Sequence, residues 1–175
     1  PHEVGLTKPI VVCTSALVSN KRVDATIKAV AKTNMSLLVL GDGEISGQID
    51  SLGKRYLASR YKRIVSKYDD IPSYYKAGQI FTMASKNEAF GTSYIEAMAC
   101  NLPVVTTSDD SRAEIIGDAG ILTDPKNISQ YARDLELAAK TDYKNKPYAQ
   151  AQKFSWNKIA DKYLDLIADL LKKTK

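Results

Sequence analysis

Short runs of β-branched residues recur along this chain, and between them lie stretches in which apolar residues return every three or four positions. That alternation is the strongest constraint on the fold. A strand followed by a helix and then another strand closes most readily as a parallel βαβ unit, with helices covering both faces of the sheet. PIVVCTS at 9–15 reads as a strand, VDATIKAVAK as a helix with Val23, Ile27 and Val30 on one face, and SLLVLG at 36–41 as a second strand. Ile45, Ile49, Leu52 and Leu57 then recur at helical spacing, followed by a strand near RIVS at 63–66, a short helix at DDIPSYYKAG and a strand at QIFTMAS. LPVVTT and GILTD supply two more strands, separated by a short helix around SRAEIIG. The expected fold is α/β, a Rossmann-like doubly wound parallel sheet of about six strands.

From Asn127 the strand pattern stops, and YARDLELAAK and KIADKYLDLIADLLKK read as closing helices. The second carries Ile159, Tyr163, Leu166 and Leu170 at helical spacing, an apolar face that needs cover from this domain or from another. PHEVGLTK at 1–8 reads as the tail of a linker entering a single domain at 9–175.

At 175 residues, one domain with a sizeable core is expected. A hydrophobic share of 44% with 26% charged residues excludes a disordered or fibrous chain. The apolar runs are strand-length, so no membrane span is expected, and the first residues lack the pattern of a secretory signal. Cys13 and Cys100 sit in apolar surroundings and read as reduced core thiols, which fits a cytoplasmic location. The net charge of +5 suits a phosphate-bearing ligand, nucleic acid or an anionic membrane surface, and selects none of them. The basic residues are dispersed without interleaved aromatic platforms, which disfavours nucleic acid; peripheral contact with a membrane is compatible with the charge.

In sheets of this kind ligands bind beyond the carboxyl ends of the strands. The segment after the fourth strand, SKNEAFGTSYIEAMAC, is the richest there: Glu88, then Gly91, Thr92 and Ser93, then Glu96. Gly91 permits close backbone approach, and a helix starting there directs unpaired N–H groups and its positive dipole end outward, as a diphosphate requires. Two carboxylates at different levels of such a cleft can hold hydroxyls at both ends of a nucleotide sugar. Other readings stay open on spacing alone. Ser93 and Glu96 also form an S-x-x-E capping box, and Glu88 reads equally as a solvated loop residue.

EAFGTSYIEAMACNLPVV resembles the E-x7-E signature of the retaining GT-B glycosyltransferases of family 4, also called group 1. NKRVDATIKAV followed by LLVLGDGE is similar to that family's first helix and second strand, IPSYYKAGQIFTMAS to the helix and strand before the motif, SRAEIIGDAGILTDP to the segment after it, and FSW at 154–156 to the approach to the last helix. The resemblance runs from about residue 10 to the end. It implies the donor-binding half of an enzyme that moves a sugar from a UDP-, GDP- or ADP-sugar to a glycan or lipid-linked acceptor, with an N-terminal acceptor domain outside this sequence.

By that resemblance Glu88 would contact the transferred sugar, and the backbone amides of Phe90, Gly91 and Thr92, with Ser93 beside them, would face sugar and diphosphate. Glu96 would hold the ribose, and Lys21 would neutralise the departing diphosphate. One position departs from the pattern: Ala16 stands where the family usually carries an arginine, with Arg22 as a partial substitute unless it points elsewhere. Asn101 is expected in a left-handed conformation at a helix end, Gly41 and Gly43 in a turn, and Asp109–Asp110 in a turn. His2 is the only histidine and no carboxylate cluster of metal-binding spacing occurs, so neither a metal nor a cofactor is expected. The competing readings are a non-catalytic nucleotide-sugar-binding module, which the Ala16 departure keeps open, and a sugar-nucleotide epimerase of the same fold, against which the Glu88/Glu96 spacing argues.

Overall fold

The computed structural model describes residues 3–173; His2 and the end of the C-terminal tail lie outside them. Six parallel strands form one sheet: β1 (Ile10–Thr14), β2 (Ser36–Leu40), β3 (Tyr61–Ile64), β4 (Ile80–Met83), β5 (Val104–Thr107) and β6 (Gly120–Thr123), in the order β3-β2-β1-β4-β5-β6. The chain builds outward on one side from β1 through β2 to β3, then returns to place β4 on the other flank of β1. The loops after β1 and β4 therefore diverge, leaving a crevice at the carboxyl ends of those two strands.

The described residues form eight α-helices: α1 (Val23–Val30), α2 (Ser46–Leu57), α3 (Ile71–Tyr75), α4 (Thr92–Ala99), α5 (Asp110–Ile116), α6 (Ile128–Lys140), α7 (Lys146–Ala151) and α8 (Trp156–Lys173), of which α8 projects from the domain instead of covering the sheet. Because strand side chains alternate between faces, β1 feeds two cores at once. Val11 and Cys13 join Val23, Ile27 and Val30 of α1, Ile49 and Leu57 of α2 and Leu135 of α6. Ile10 and Val12 join Tyr75 of α3, Tyr94 and Met98 of α4, Ile116 of α5 and Ala151 of α7. Both cysteines are free thiols, and burial pushes that of Cys13 up to about 12.

Two elements differ from the sequence expectation, and for a third the structure decides between the alternatives left open. The third strand lies two residues earlier than RIVS, ending at Ile64. It is an edge strand, so the polar residues Lys62 and Arg63 are tolerated within it, while Val65 falls in the loop and is exposed. A short helix, α7, intervenes between the two expected closing helices; proline stands in its first turn, where the missing N–H costs nothing. The apolar face of α8 is uncovered by this domain: Tyr163, Leu166 and Ile167 are all more than half exposed. Residues 3–8 form no strand or helix, yet Val4 is buried in the second core and its carbonyl accepts from Lys62 Nζ at 2.9 Å. Among the described residues no helix is long and apolar enough to cross a membrane.

Candidate active site

The crevice between the β1 and β4 loops is a cleft of about 550 Å³. Thr14, Ser15 and Ala16 border it from the end of β1, Gly41 and Asp42 from β2, Val65 and Ser66 from β3, and Glu88, Gly91, Thr92, Ser93 and Glu96 from the β4–α4 segment, with Lys21 opposite. Gly41 is required where it stands: a Cβ there would lie 2.0 Å from the carbonyl oxygen of Ser15. The β1 and β2 loops thus touch backbone to backbone, with Leu17 N donating to Asp42 O at 2.9 Å.

Lys21 ends a 3-10 turn, Ser19–Lys21, and Arg22 follows in the left-handed conformation (φ 48°) as the N-cap of α1. The two residues therefore do not share a helix face. Lys21 turns into the cleft, where Nζ meets Glu88 Oε2 at 2.8 Å and Oε1 at 3.0 Å. Arg22 turns away: Nε donates to the Ala84 carbonyl at 2.7 Å, so it does not replace the cation missing at Ala16. Backbone and side-chain bonds from Lys86 N to Asn20 O (3.0 Å) and from Asn20 Nδ2 to Asn87 O (3.3 Å) fasten the two loops that carry Lys21 and Glu88.

Gly91 is the N-cap of α4 in the left-handed region (φ 77°), a conformation costly for a residue with a side chain. A Cβ there would also meet the Tyr94 ring at 2.3 Å and Glu88 Cγ at 3.2 Å. The first amides of a helix have no intrahelical acceptor, and those of Gly91, Thr92 and Ser93 belong to residues that line the cleft. Phe90 differs. Its ring sits outside this cleft, edge-on to Phe154 with centroids 5.8 Å apart, in an adjoining apolar groove that also includes Trp156 and Ile159.

Glu96 lies in the second turn of α4, and no side chain caps the helix start, so the Ser93–Glu96 capping box does not form. The carboxylate instead accepts from Tyr75 Oη at 3.1 Å and from Tyr68 Oη at 3.0 Å. Burial, with the Glu96 charge beside it, raises the Tyr75 phenol well above its ordinary value; the hydrogen bond to Glu96 raises that of exposed Tyr68. Tyr75 is fully buried and packs edge-on against Phe81 (5.7 Å).

Sequence reasoning missed Arg112, a buried guanidinium beneath the β4–α4 loop. Asp109 behaves as a helix cap: its Oδ1 accepts from Arg112 N at 2.8 Å and its other oxygen pairs with the guanidinium. Asn101 adopts the expected left-handed conformation (φ 61°) after α4. Arg63 is held by Asp50 through Nε (3.0 Å) and Nη2 (2.9 Å), which keeps the Asp50 carboxyl below the usual range. Among the described residues no three His, Cys, Asp or Glu side chains are grouped as metal ligands.

Comparison with known proteins agrees with this architecture. Residues 1–172 match the model of the family described as glycosyl transferases group 1. The chain is 33% identical over 93 residues to the O-antigen chain mannosyltransferase B of Escherichia coli, covering 50% of this chain and 24% of that protein. It is 30% identical over 141 residues to the amylovoran biosynthesis glycosyltransferase AmsD of Erwinia amylovora, covering 80% of this chain and 39% of that one. The chain thus spans less than half the length of these relatives. The structure of Anabaena Alr3699/HepE, solved in complex with UDP and glucose, superposes with a TM-score of 0.79 at 23% identity over 92% of this chain and 48% of that one, which establishes the shared fold.

Proposed function

The chain belongs to the group 1 glycosyl transferases, and on that premise we propose that it is the donor-binding half of a retaining enzyme. The donor is a nucleoside diphosphate sugar, and the acceptor is a glycan or a lipid-linked glycan met at an N-terminal domain beyond this sequence. The observation that carries the proposal is the disposition of three charges in one cleft: the Lys21–Glu88 pair on one side of the α4 start and Glu96 on the other.

Departure of a nucleoside diphosphate builds negative charge on phosphate oxygen as the glycosidic bond breaks. Lys21 Nζ and the free amides of Gly91, Thr92 and Ser93 are fixed donors for that charge, in place before the reaction and needing no reorganisation. Glu88, held by Lys21, presents its remaining lone pairs to sugar hydroxyls, while Glu96 takes the ribose. Phe90 serves through its main chain, since its ring faces the neighbouring groove. A reducing compartment, the cytoplasm, suits the two unbridged cysteines.

A second reading is a module that binds the donor without transferring the sugar. It is favoured by Ala16, which lines the cleft without a cation, and by the engagement of Arg22 with a backbone carbonyl. Calorimetric titration of the chain with UDP, GDP and ADP and with their sugars tests donor binding. We expect one base to be preferred and its sugar conjugate to bind more tightly than the bare diphosphate. Absence of binding to all of them would sink both readings. Joining the chain to the acceptor domain and assaying transfer separates the two.

A further inference from the structure

We propose that Ser85 and Arg112 are positioning residues for Glu88: the buried arginine orients the Ser85 hydroxyl, and that hydroxyl sets the angle at which Glu88 meets the sugar. The proposal deepens the donor-binding reading and rests on it for the identity of the ligand.

Arg112 is 2% exposed, a burial that a permanently charged guanidinium tolerates only when its N–H groups are matched. Nη1 pairs with Asp109, Nε donates to Tyr94 Oη at 3.2 Å, and Nη2 donates to the Ser85 carbonyl at 3.1 Å and to Ser85 Oγ at 3.4 Å. Two of these bonds therefore converge on the residue where the chain leaves β4 for the cleft. The Ser85 carbonyl also accepts from Thr107 Oγ1 at 2.9 Å, and the carbonyl before it, that of Ala84, takes Arg22 Nε at 2.7 Å.

The direction of the hydroxyl follows from counting protons. Ser85 Oγ has one hydrogen, and Arg112 has only donors. Oγ must accept from the guanidinium and is left to donate elsewhere, and Glu88 Oε2 lies 2.9 Å away. Glu88 thus has two fixed donors, Lys21 Nζ and Ser85 Oγ, approaching from different elements. Lys21 is called on to meet the phosphate charge during the reaction; Ser85 is not. When the lysine's attention is divided, the serine keeps the carboxylate in place. Neither Ser85 nor Arg112 borders the cleft, so both act through Glu88 and not on the ligand. The pair also links α5, capped by Asp109, to the sugar end of the cleft.

The test uses Ser85→Ala and Ser85→Thr with two readouts. In the ligand-free chain labelled with 13C at glutamate carboxyls, the Glu88 resonance, identified by its loss in Glu88→Gln, should shift or broaden in Ser85→Ala. It should return toward the wild-type position in Ser85→Thr, which keeps the hydroxyl, while that of Glu96 stays put. An unmoved Glu88 resonance in Ser85→Ala overturns the positioning role whether or not any donor binds. In calorimetry, Ser85→Ala should weaken the sugar conjugate about tenfold, as loss of a hydrogen bond to a charged group does, and the bare diphosphate less than about twofold. Equal weakening of both ligands, or no weakening of either, overturns the link to the sugar. A wild-type chain that binds neither ligand overturns the donor reading and the sugar half of this proposal, while the carboxyl resonance still decides the positioning half. Arg112→Lys, which keeps the charge but cannot reach Ser85 and Tyr94 at once, should reproduce the Glu88 resonance change of Ser85→Ala; an unchanged resonance would remove Arg112 from the chain of contacts.

Discussion

Glu88 and Glu96 flank the same helix start, yet the fold holds them by different means. Glu88 is met by a cation and a hydroxyl, Lys21 and Ser85, both themselves tied to other loops. Among the described residues Glu96 meets neutral donors, the phenols of Tyr75 and Tyr68. A cation neutralises its carboxylate and fixes it in one geometry, which suits a group that must stay aligned while charge moves beside it. Phenols orient a carboxylate but leave its charge intact, and a carboxylate with full charge and spare lone pairs is a strong acceptor for vicinal hydroxyls. On the proposed donor-binding reading, this difference would organise one end of the cleft for alignment and the other for affinity.

The largest expected effect falls on the charged end. Lys21 and Glu88 are only 20% and 15% exposed, so removing one partner strands a charge in a poorly solvated site. Lys21→Ala should cost about 2 kcal/mol of stability, a fall in melting temperature of about 4–8 °C for a chain of this size. Adding Glu88→Gln should restore part of that loss, since the stranded charge is then gone. Thermal melts of the two single variants and the double variant measure the coupling. Strictly additive losses would mean that the pair is not a unit, and the contrast between the two ends would fail.

The next effect is on recognition. Glu96→Gln keeps the shape of the side chain and removes its charge, so nucleoside diphosphate and nucleotide sugar should weaken together, each by about tenfold, or about 1.4 kcal/mol. Glu88→Gln should weaken only the sugar conjugate. Calorimetry with both ligands reads the two patterns directly, and a Glu96→Gln loss confined to the sugar conjugate would reverse the assignment of the two ends.

How far these roles could be read in advance differs between the ends as well. The alternation of strand and helix periods was sufficient for the sheet, and Gly91 marked the start of α4, because a left-handed N-cap admits few other residues. The partners of the two glutamates were not legible. Tyr75 and Arg112 reach them across 21 and 27 residues of chain, counting Arg112 to Ser85, and local spacing carries no trace of such contacts. Arg112 was hidden further by its type, since an arginine in a short amphipathic helix is ordinarily solvated. The direction of Arg22 stayed open because a 3-10 turn and a left-handed residue separate it from Lys21, a break that helical periodicity conceals. The edge position of β3 let polar residues into a strand, which blurred its boundary.

The smallest effect discriminates between the two phenols of the neutral end. Tyr75 is fully buried with its hydroxyl on Glu96 and its ring against Phe81, whereas Tyr68 is 74% exposed. Tyr75→Phe keeps the ring packing and deletes one bond to a carboxylate, so it should cost about 1 kcal/mol, while Tyr68→Phe should leave stability nearly unchanged. The pH dependence has a definite sign. Folding raises the buried Tyr75 phenol, so its neutral form contributes stability that is fully present below the unfolded tyrosine value, near 10, and lost as pH rises through the higher folded one, whereas solvent screens the same effect at exposed Tyr68. Denaturant melts between about pH 7 and pH 11 should therefore give the wild type a stability lead over Tyr75→Phe that holds to about pH 10 and narrows beyond it. A lead that instead collapses well below about pH 10 would mean that ionisation of the phenol does not control the contact, and the contrast drawn for the neutral end would fail.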